Sequence, residues 1–363
     1  MLSVDVEVDR RDFPVRVALE VADGERVALF GPSGAGKTTV LEVIAGLVPP
    51  RRGTVELNGR VLAAAAETFV DIPSWRRRVG LLRQDPGLFP HLSVRANLLY
   101  ARSARAAELP ALAEELGIAG LLSAMPARLS GGQRHRVALG RLLLAHCDAL
   151  LLDEPFASLD AALRRSLTAL VKDLSSERAV PSVLVTHQLS DAQAFADRLA
   201  VIDHGAVLQA GGPDEVVLRP ASRRVAELVG YLGFVPAPGA ASGGTAGADV
   251  VAGVHPDRVV AGAHPDRGLV VTGTVLAARP SGAGWEADLR AGDAAFTCRL
   301  PDRPDGARVS VTVLDPPYFG PDGALAAEQG RDDVQGALDE FDAAAGGHLL
   351  AERDHGEDKR YRV

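Results

Sequence analysis

Gly31-Pro32-Ser33-Gly34-Ala35-Gly36-Lys37-Thr38 matches the phosphate-loop pattern G-x-x-x-x-G-K-[ST] at every specified position. Its flanks agree with that reading. Val27-Ala28-Leu29-Phe30 reads as a buried strand entering the loop, and Lys37 to Gly46 as the helix leaving it. Glycines let the backbone curl until successive N–H groups face one anion. The helix start adds unpaired N–H groups and the positive end of its dipole. Lys37 would reach the β- and γ-phosphates, and the Thr38 hydroxyl would hold Mg²⁺. The expectation is an α/β nucleoside-triphosphate domain. The alternative, a glycine-rich turn with a chance lysine, leaves the adjoining strand and helix unexplained.

On the N-terminal side, Val4, Val6 and Val8 alternate with Asp5, Glu7 and Asp9, and Val15 to Leu19 repeats the pattern. Both read as half-buried strands. Phe13, between them, could stack on an adenine ring or simply pack. Beyond the first helix, Asn58-Gly59 is a two-residue hairpin signal between Thr54–Leu57 and Arg60–Leu62. Val79-Gly80-Leu81-Leu82 reads as a short buried strand. Gln84 stands just past it, where open α/β sheets bind their ligands. Asp85 to Leu92 reads as a loop carrying exposed Leu88 and Phe89, either a docking surface or a loop folded on its own core. Residues 94–125 read as helical, with Leu98, Leu99, Leu112, Leu116 and Leu121 in the core.

Leu129-Ser130-Gly131-Gly132-Gln133 opens a helix over Arg134 to Ala145. Ser130 is a good N-cap and the glycines bare the first N–H groups, which makes a second anion-binding helix start. Ala149 to Leu152 is an apolar strand ending in Asp153-Glu154-Pro155. Carboxylates at a buried strand end need compensation. Mg²⁺ would supply it for Asp153, leaving Glu154 to polarise a water for attack on the γ-phosphate. The plainer alternative is a strand-end turn stopped by Pro155. Asp160 can cap the next helix, whose apolar face is Leu163, Leu167, Leu170, Val171 and Leu174. His187 ends the strand Ser182–Thr186, on the side of Lys37, Gln84 and Glu154. A lone histidine is usually structural, but this position fits a hydrogen bond to the γ-phosphate. A hairpin over Val201–Leu208 turns at His204-Gly205.

At 363 residues the chain has room for two or three domains. Its 47% hydrophobic and 24% charged residues are ordinary for a soluble protein. A net charge of −8 argues against nucleic-acid binding, and Arg76-Arg77-Arg78 reads as a solvated turn. The longest apolar run, Leu142 to Leu152, is broken by His146 and Asp148, so no membrane span is expected. The N-terminus has no signal-peptide pattern. Cys147 and Cys298 are expected to stay reduced in a cytosolic chain. Any membrane role must come through a partner.

In order, these motifs are the phosphate loop, a glutamine, L-S-G-G-Q, an apolar strand with Asp-Glu, S-L-D and a histidine. The set resembles the ATP-binding subunit of ABC transporters over roughly residues 1–230. The resemblance implies a head-to-tail homodimer with each ATP between one chain's Gly31–Thr39, including Thr39, and the other's Ser130–Gln133. It implies Glu154 as catalytic carboxylate, Asp153 and Thr38 on Mg²⁺, and Gln84 on the metal or attacking water and responsive to the membrane partner. Asp160 would communicate across the dimer and His187 would touch the γ-phosphate. The partners implied are a transmembrane permease, a second ATPase copy and, indirectly, a solute-binding protein; the place implied is the cytoplasmic face of the membrane. Asn58-Gly59-Arg60-Val61-Leu62, Arg77-Arg78-Val79-Gly80, Gln84-Asp85-x-x-x-Leu88-Phe89-Pro90-His91 and Ser93-Val94-Arg95-x-Asn97-Leu98 look most like molybdate-importer ATPases. Relatives for sulfate, iron, sugars and polyamines share Leu-Phe-Pro-His, so those solutes stay open. Leu82-Arg83-Gln84 and Gln133-Arg134-His135-Arg136 depart from the usual Val-Phe-Gln and Gln-x-Gln-Arg.

The expected fold is thus α/β: a P-loop NTPase domain of ABC type with a helical subdomain over 1–232, then a Gly/Ala/Pro/Ser-rich linker over 233–249. Short β-rich runs punctuated by Gly and Pro predict a small β-barrel over 250–321. Its runs are Val259-Val260, Leu269–Val271, Thr274–Leu276, Phe296–Cys298 and Val309–Val313. Val254-His255-Pro256-Asp257-Arg258-Val259 resembles a motif of the accessory (TOBE-like) barrel of importer ATPases, and His-Pro-Asp-Arg recurs at His264. Residues 322–363, with Glu328, Asp332, Asp333, Asp339 and Glu340, read as a polar tail. A soluble ABC ATPase acting on DNA or ribosomes is a rival, but it would bring fused cassettes or a coiled-coil insertion. A second rival is an oxyanion-sensing module with incidental ATP turnover.

Overall fold

A computed structural model describes residues 1–65, 69–101, 103–157, 159–237, 250–282, 284–304 and 307–325. It divides into two compact units, Met1–Leu218 and Arg219–Val363. The first opens with β1 (Leu2–Val8), β2 (Val15–Val21), β3 (Arg26–Phe30) and α1 (Lys37–Ala45). An antiparallel run follows: β4 (Arg52–Leu57), β5 (Arg60–Ala65) and β6 (Phe69–Asp71). Then come β7 (Val79–Leu82), α2 (Val94–Leu98), α3 (Leu109–Glu115) and α4 (Gly131–Leu144). The unit closes with β8 (Ala149–Asp153), α5 (Ala161–Glu177), β9 (Ser182–Thr186), α6 (Leu189–Phe195), β10 (Arg198–Asp203), β11 (Ala206–Gly211) and α7 (Pro213–Leu218).

Its eleven strands form one sheet in the order β6-β5-β4-β1-β2-β11-β10-β3-β9-β8-β7. β10, β3, β9, β8 and β7 run parallel, and β8 and β9 are buried at every residue, as continuous apolar runs in a covered parallel sheet should be. Register does the functional work. Phe30 pairs with Thr186, Asp153 with Val185, and Leu82 with Leu152. Parallel pairing therefore delivers the phosphate loop, Glu154, His187 and Gln84 to one carboxyl edge of the sheet.

Three expectations change. Residues 94–125 are not one helical stretch but α2 and α3 with short 3₁₀ turns at Ala106–Glu108 and Ala119–Leu121. Pro110 sits in the first turn of α3 and Gly117, at φ 58°, lies just beyond its end, so the chain carries its own stop signals there. Leu98, Leu112 and Leu116 are buried as expected, whereas Leu99 and Leu121 are half-buried. Arg77 is the largest change. Only Arg76 and Arg78 are exposed; Arg77 is 1% exposed. Its guanidinium donates to Val43 O, Ile44 O and Ile72 O and pairs with Asp71 at 2.8 Å, capping the carboxyl end of α1.

The second unit holds α8 (Arg223–Leu228), β12 (Phe234–Pro236), β13 (Val251–Gly253), β14 (Val259–Ala261) and β15 (Leu269–Ser281). It continues with β16 (Gly284–Ala291), β17 (Ala294–Leu300), β18 (Arg308–Val313) and β19 (Tyr318–Phe319). The five-stranded antiparallel sheet β14-β18-β15-β16-β17 and the small sheet β12-β13-β19 enclose one core of Val235, Val271, Leu289, Phe296, Val311 and neighbours. This is the accessory half-barrel. The runs Leu269–Val271 and Thr274–Leu276 are one strand with a bulge between Val275 and Ala277. β16 escaped the sequence pattern because its inward residues include small Ala287. β12 lies inside the stretch read as linker, and α8 falls on the second side of the division. Of that stretch, 238–249 lie outside the described residues, as do Ser158 and the tail residues from 326 on. Both His-Pro-Asp-Arg stretches form the same 3₁₀ turn.

Candidate functional site

The loop after β3 is shaped by steric demand. A Cβ on Gly31 would stand 2.0 Å from the Ile202 carbonyl oxygen, and one on Gly36, at φ 101°, would stand 2.7 Å from Val15. Glycine alone satisfies both. No side chain caps α1, so its first N–H groups stay available to an anion. Ala35 N donates to Pro32 O, while Ser33 and Gly34 are exposed on the loop's crest. Lys37 Nζ is folded over the loop, donating to Gly31 O (2.9 Å) and Pro32 O (2.8 Å). Burial pushes its pKa down, opposed by Glu154 and Asp153 nearby. Thr39 is turned away: its hydroxyl accepts from Arg10 Nε at 2.8 Å. Arg10, at the β1–β2 turn, was not singled out by any sequence motif.

Thr38 Oγ1 lies 3.2 and 3.1 Å from the two oxygens of Asp153, which is 6% exposed. Desolvation raises the Asp153 pKa, and the Thr38 hydrogen bond works against it. A hydroxyl and a buried, charge-starved carboxylate form an all-oxygen donor set. Mg²⁺ fits it, since that ion takes one or two protein oxygens and fills the rest of its shell with phosphate and water. Among the described residues there is no cluster of three or more His, Cys, Asp or Glu able to cage a metal on its own.

Glu154 has φ 48°, the left-handed region that non-glycine residues avoid, and its N–H donates to Val185 O. That turn aims its side chain at His187, with Nδ1 2.7 Å from Oε1. The structure thus brings together Lys37, Thr38, Asp153, Glu154 and His187. Gln84 is exposed past β7, and no hydrogen bond among the described residues links it to the Asp153–Glu154 pair. Ser130, Gly131, Gly132 and Gln133 stand apart. Ser130 and Gln133 close a reciprocal capping box on α4, leaving Ser130 and Gly131 exposed. Asp160 caps α5 through Ala162 N and Leu163 N; the Leu163 bond foremost lowers its pKa.

Further residues lie around these loops. Asn97, fully buried, holds the Phe89 turn through its N–H and carbonyl and also donates to Leu92 O and Ser93 O. Phe89 is half-buried, stacked at 4.0 Å on exposed Tyr100. His135 of α4 is 5% exposed and has Nε2 buried without a partner. Phe13 packs partly on the core with its ring 5.6 Å from His204.

This sheet edge, with its glycine loop, paired carboxylates and terminal histidine, is that of a P-loop ATPase fold of ABC type. Residues 15–157 match the family model described as ABC transporter. Over 241 residues it is 42% identical to the molybdenum import ATP-binding protein ModC of Mesorhizobium japonicum, covering 64% of each chain. It is 42% identical over 226 residues to the Fe(3+) ions import ATP-binding protein FbpC of Pseudomonas fluorescens, covering 61% of this chain and 63% of that one. A dimeric post-hydrolysis ATP-binding cassette bound to ADP and Pi superposes with a TM-score of 0.51 at 26% identity, over 59% of this chain and 99% of the other. The chain spans just under two thirds of the length of the curated relatives it matches.

Proposed function

We propose that the chain hydrolyses ATP as the energising subunit of an ABC importer. The convergence of Lys37, Thr38, Asp153, Glu154 and His187 on one sheet edge carries the proposal. Lys37 and the start of α1 bind the β- and γ-phosphates. Thr38 and Asp153 would hold Mg²⁺, which would supply charge stabilisation for the phosphate oxygens. Glu154 polarises the attacking water and accepts its proton, while His187 orients Glu154 and contacts the γ-phosphate. Exposed Ser130 and Gly131 at the start of α4 suit them to complete the site of a second copy, head to tail; the likeness to a dimeric cassette supports that arrangement.

No helix among the described residues is long and apolar enough to cross a membrane. We therefore assign translocation to a separate permease, which would hold the chain at the cytoplasmic face and receive solute from a binding protein. The groove of about 290 Å³ lined by Phe89, Tyr100, Arg141 and Cys147 suits a permease helix. Molybdate is the preferred solute, on the Asn58–Leu62 hairpin and the molybdenum-import relative. Iron is the second reading, because the Fe(3+)-import relative is equally identical. Deleting the gene and measuring uptake of labelled molybdate and of labelled iron separates them: loss of molybdate uptake alone supports the first reading, and loss of iron uptake alone the second.

A further inference from the structure

The pairing of Glu154 with His187 joins two loops that are far apart in sequence, one following β8 and one following β9. Something must hold those loops in register. Arg164, on the first turns of α5, reaches both. Its Nη2 donates to Leu159 O at 3.2 Å, in the loop that begins at Glu154. Its Nη1 donates to Gln188 Oε1, on the residue after His187. The same Nη1 lies 3.6 Å from Asp191 Oδ1 at the start of α6. Asp191 is only 5% exposed, so the guanidinium is its charge partner. Apart from the Glu154 N–H to Val185 O bond at the strand ends, the two loops are braced locally: Ala157 N and Leu159 N turn back on Glu154 O and Phe156 O, and Gln188 N on Thr186 Oγ1.

We infer that Arg164 is a positioning residue that clamps the loop of Glu154 to the loop of His187 and so sets the geometry of that pair. The inference rests on the proposed ATPase reading. A planar guanidinium spans two acceptors in fixed directions. A lysine keeps the charge beside Asp191 but cannot reach Leu159 O and Gln188 Oε1 together. The two parts of the role are therefore separable.

The test uses the full chain with MgATP and the variants Arg164→Lys, Gln188→Ala and the double variant, each with its melting temperature. Wild-type turnover is measured first; its absence would overturn the ATPase reading and the inference with it. Given wild-type turnover, Arg164→Lys is expected to melt near wild type yet lose about tenfold in kcat, with KM for ATP within about twofold. Gln188→Ala should lose a comparable factor, and the double variant should be no worse than the weaker single, because both break one clamp. Wild-type kcat in Arg164→Lys, or losses that multiply in the double variant, would overturn the inference while leaving the ATPase reading intact. A purely structural role would show kcat falling only with the melting temperature.

Discussion

His187 Nδ1 lies 2.7 Å from Glu154 Oε1, although the side chains come from different strand ends. The pair is assembled by the β8–β9 register and by the left-handed backbone at Glu154. If His187 orients the carboxylate, His187→Ala should lower kcat by about 10²-fold and leave KM for ATP nearly unchanged. Steady-state ATPase kinetics check this, and a rise in KM at constant kcat would reduce His187 to a binding role.

Asp153 carries the opposite signature of a residue kept for stability. Burial raises its pKa above the ordinary 3.8, so its charged form costs folding free energy at neutral pH, a cost relieved only as the pH falls through the folded value. Asp153→Asn should therefore raise the melting temperature of the nucleotide-free protein, by about 2–4 °C per kcal/mol recovered. The same variant should lose the further stabilisation that MgATP gives the wild type. Melting curves with and without MgATP read both effects.

His135 predicts a pH dependence. Burial holds its pKa below 6.5, so as the pH falls the unfolded chain takes up the proton first. Stability from this site is full above about pH 6.5 and declines below it, towards the folded value. His135→Gln should flatten that part of the decline. Denaturant midpoints between about pH 7.5 and 5.5 measure the difference.

Arg77 anchors the far end of the helix whose first turn faces the phosphates. Arg77→Met would strand three carbonyls and the Asp71 carboxylate. The expected cost is about 3 kcal/mol, with Asp71 partly solvated, and thermal melting should show a drop of about 6–12 °C.

These residues also mark what the sequence makes legible. The phosphate loop, the Ser130 cap and the buried strands follow from local rules of spacing and propensity, and the parallel order then places Lys37, Asp153 and His187 on one edge. Arg77 was unreadable because a guanidinium surrounded by carbonyls looks like its exposed neighbours Arg76 and Arg78 until the fold closes over it. Arg164 and the Glu154 turn were hidden for a similar reason: one acts through contacts 24 residues away at Gln188, the other through a backbone angle no residue type announces. The helical stretch over 94–125 failed because Pro110 and Gly117 bound a short α3 within a leucine-rich run.

The central claim is that Glu154 drives hydrolysis at a site built by the phosphate loop and the ends of β8 and β9. Its most direct test compares wild-type and Glu154→Gln full-length protein at saturating MgATP, with nucleotide affinity measured in parallel. The account predicts at least a 10²-fold loss of turnover with ATP affinity retained. Turnover at the wild-type rate in Glu154→Gln would contradict it.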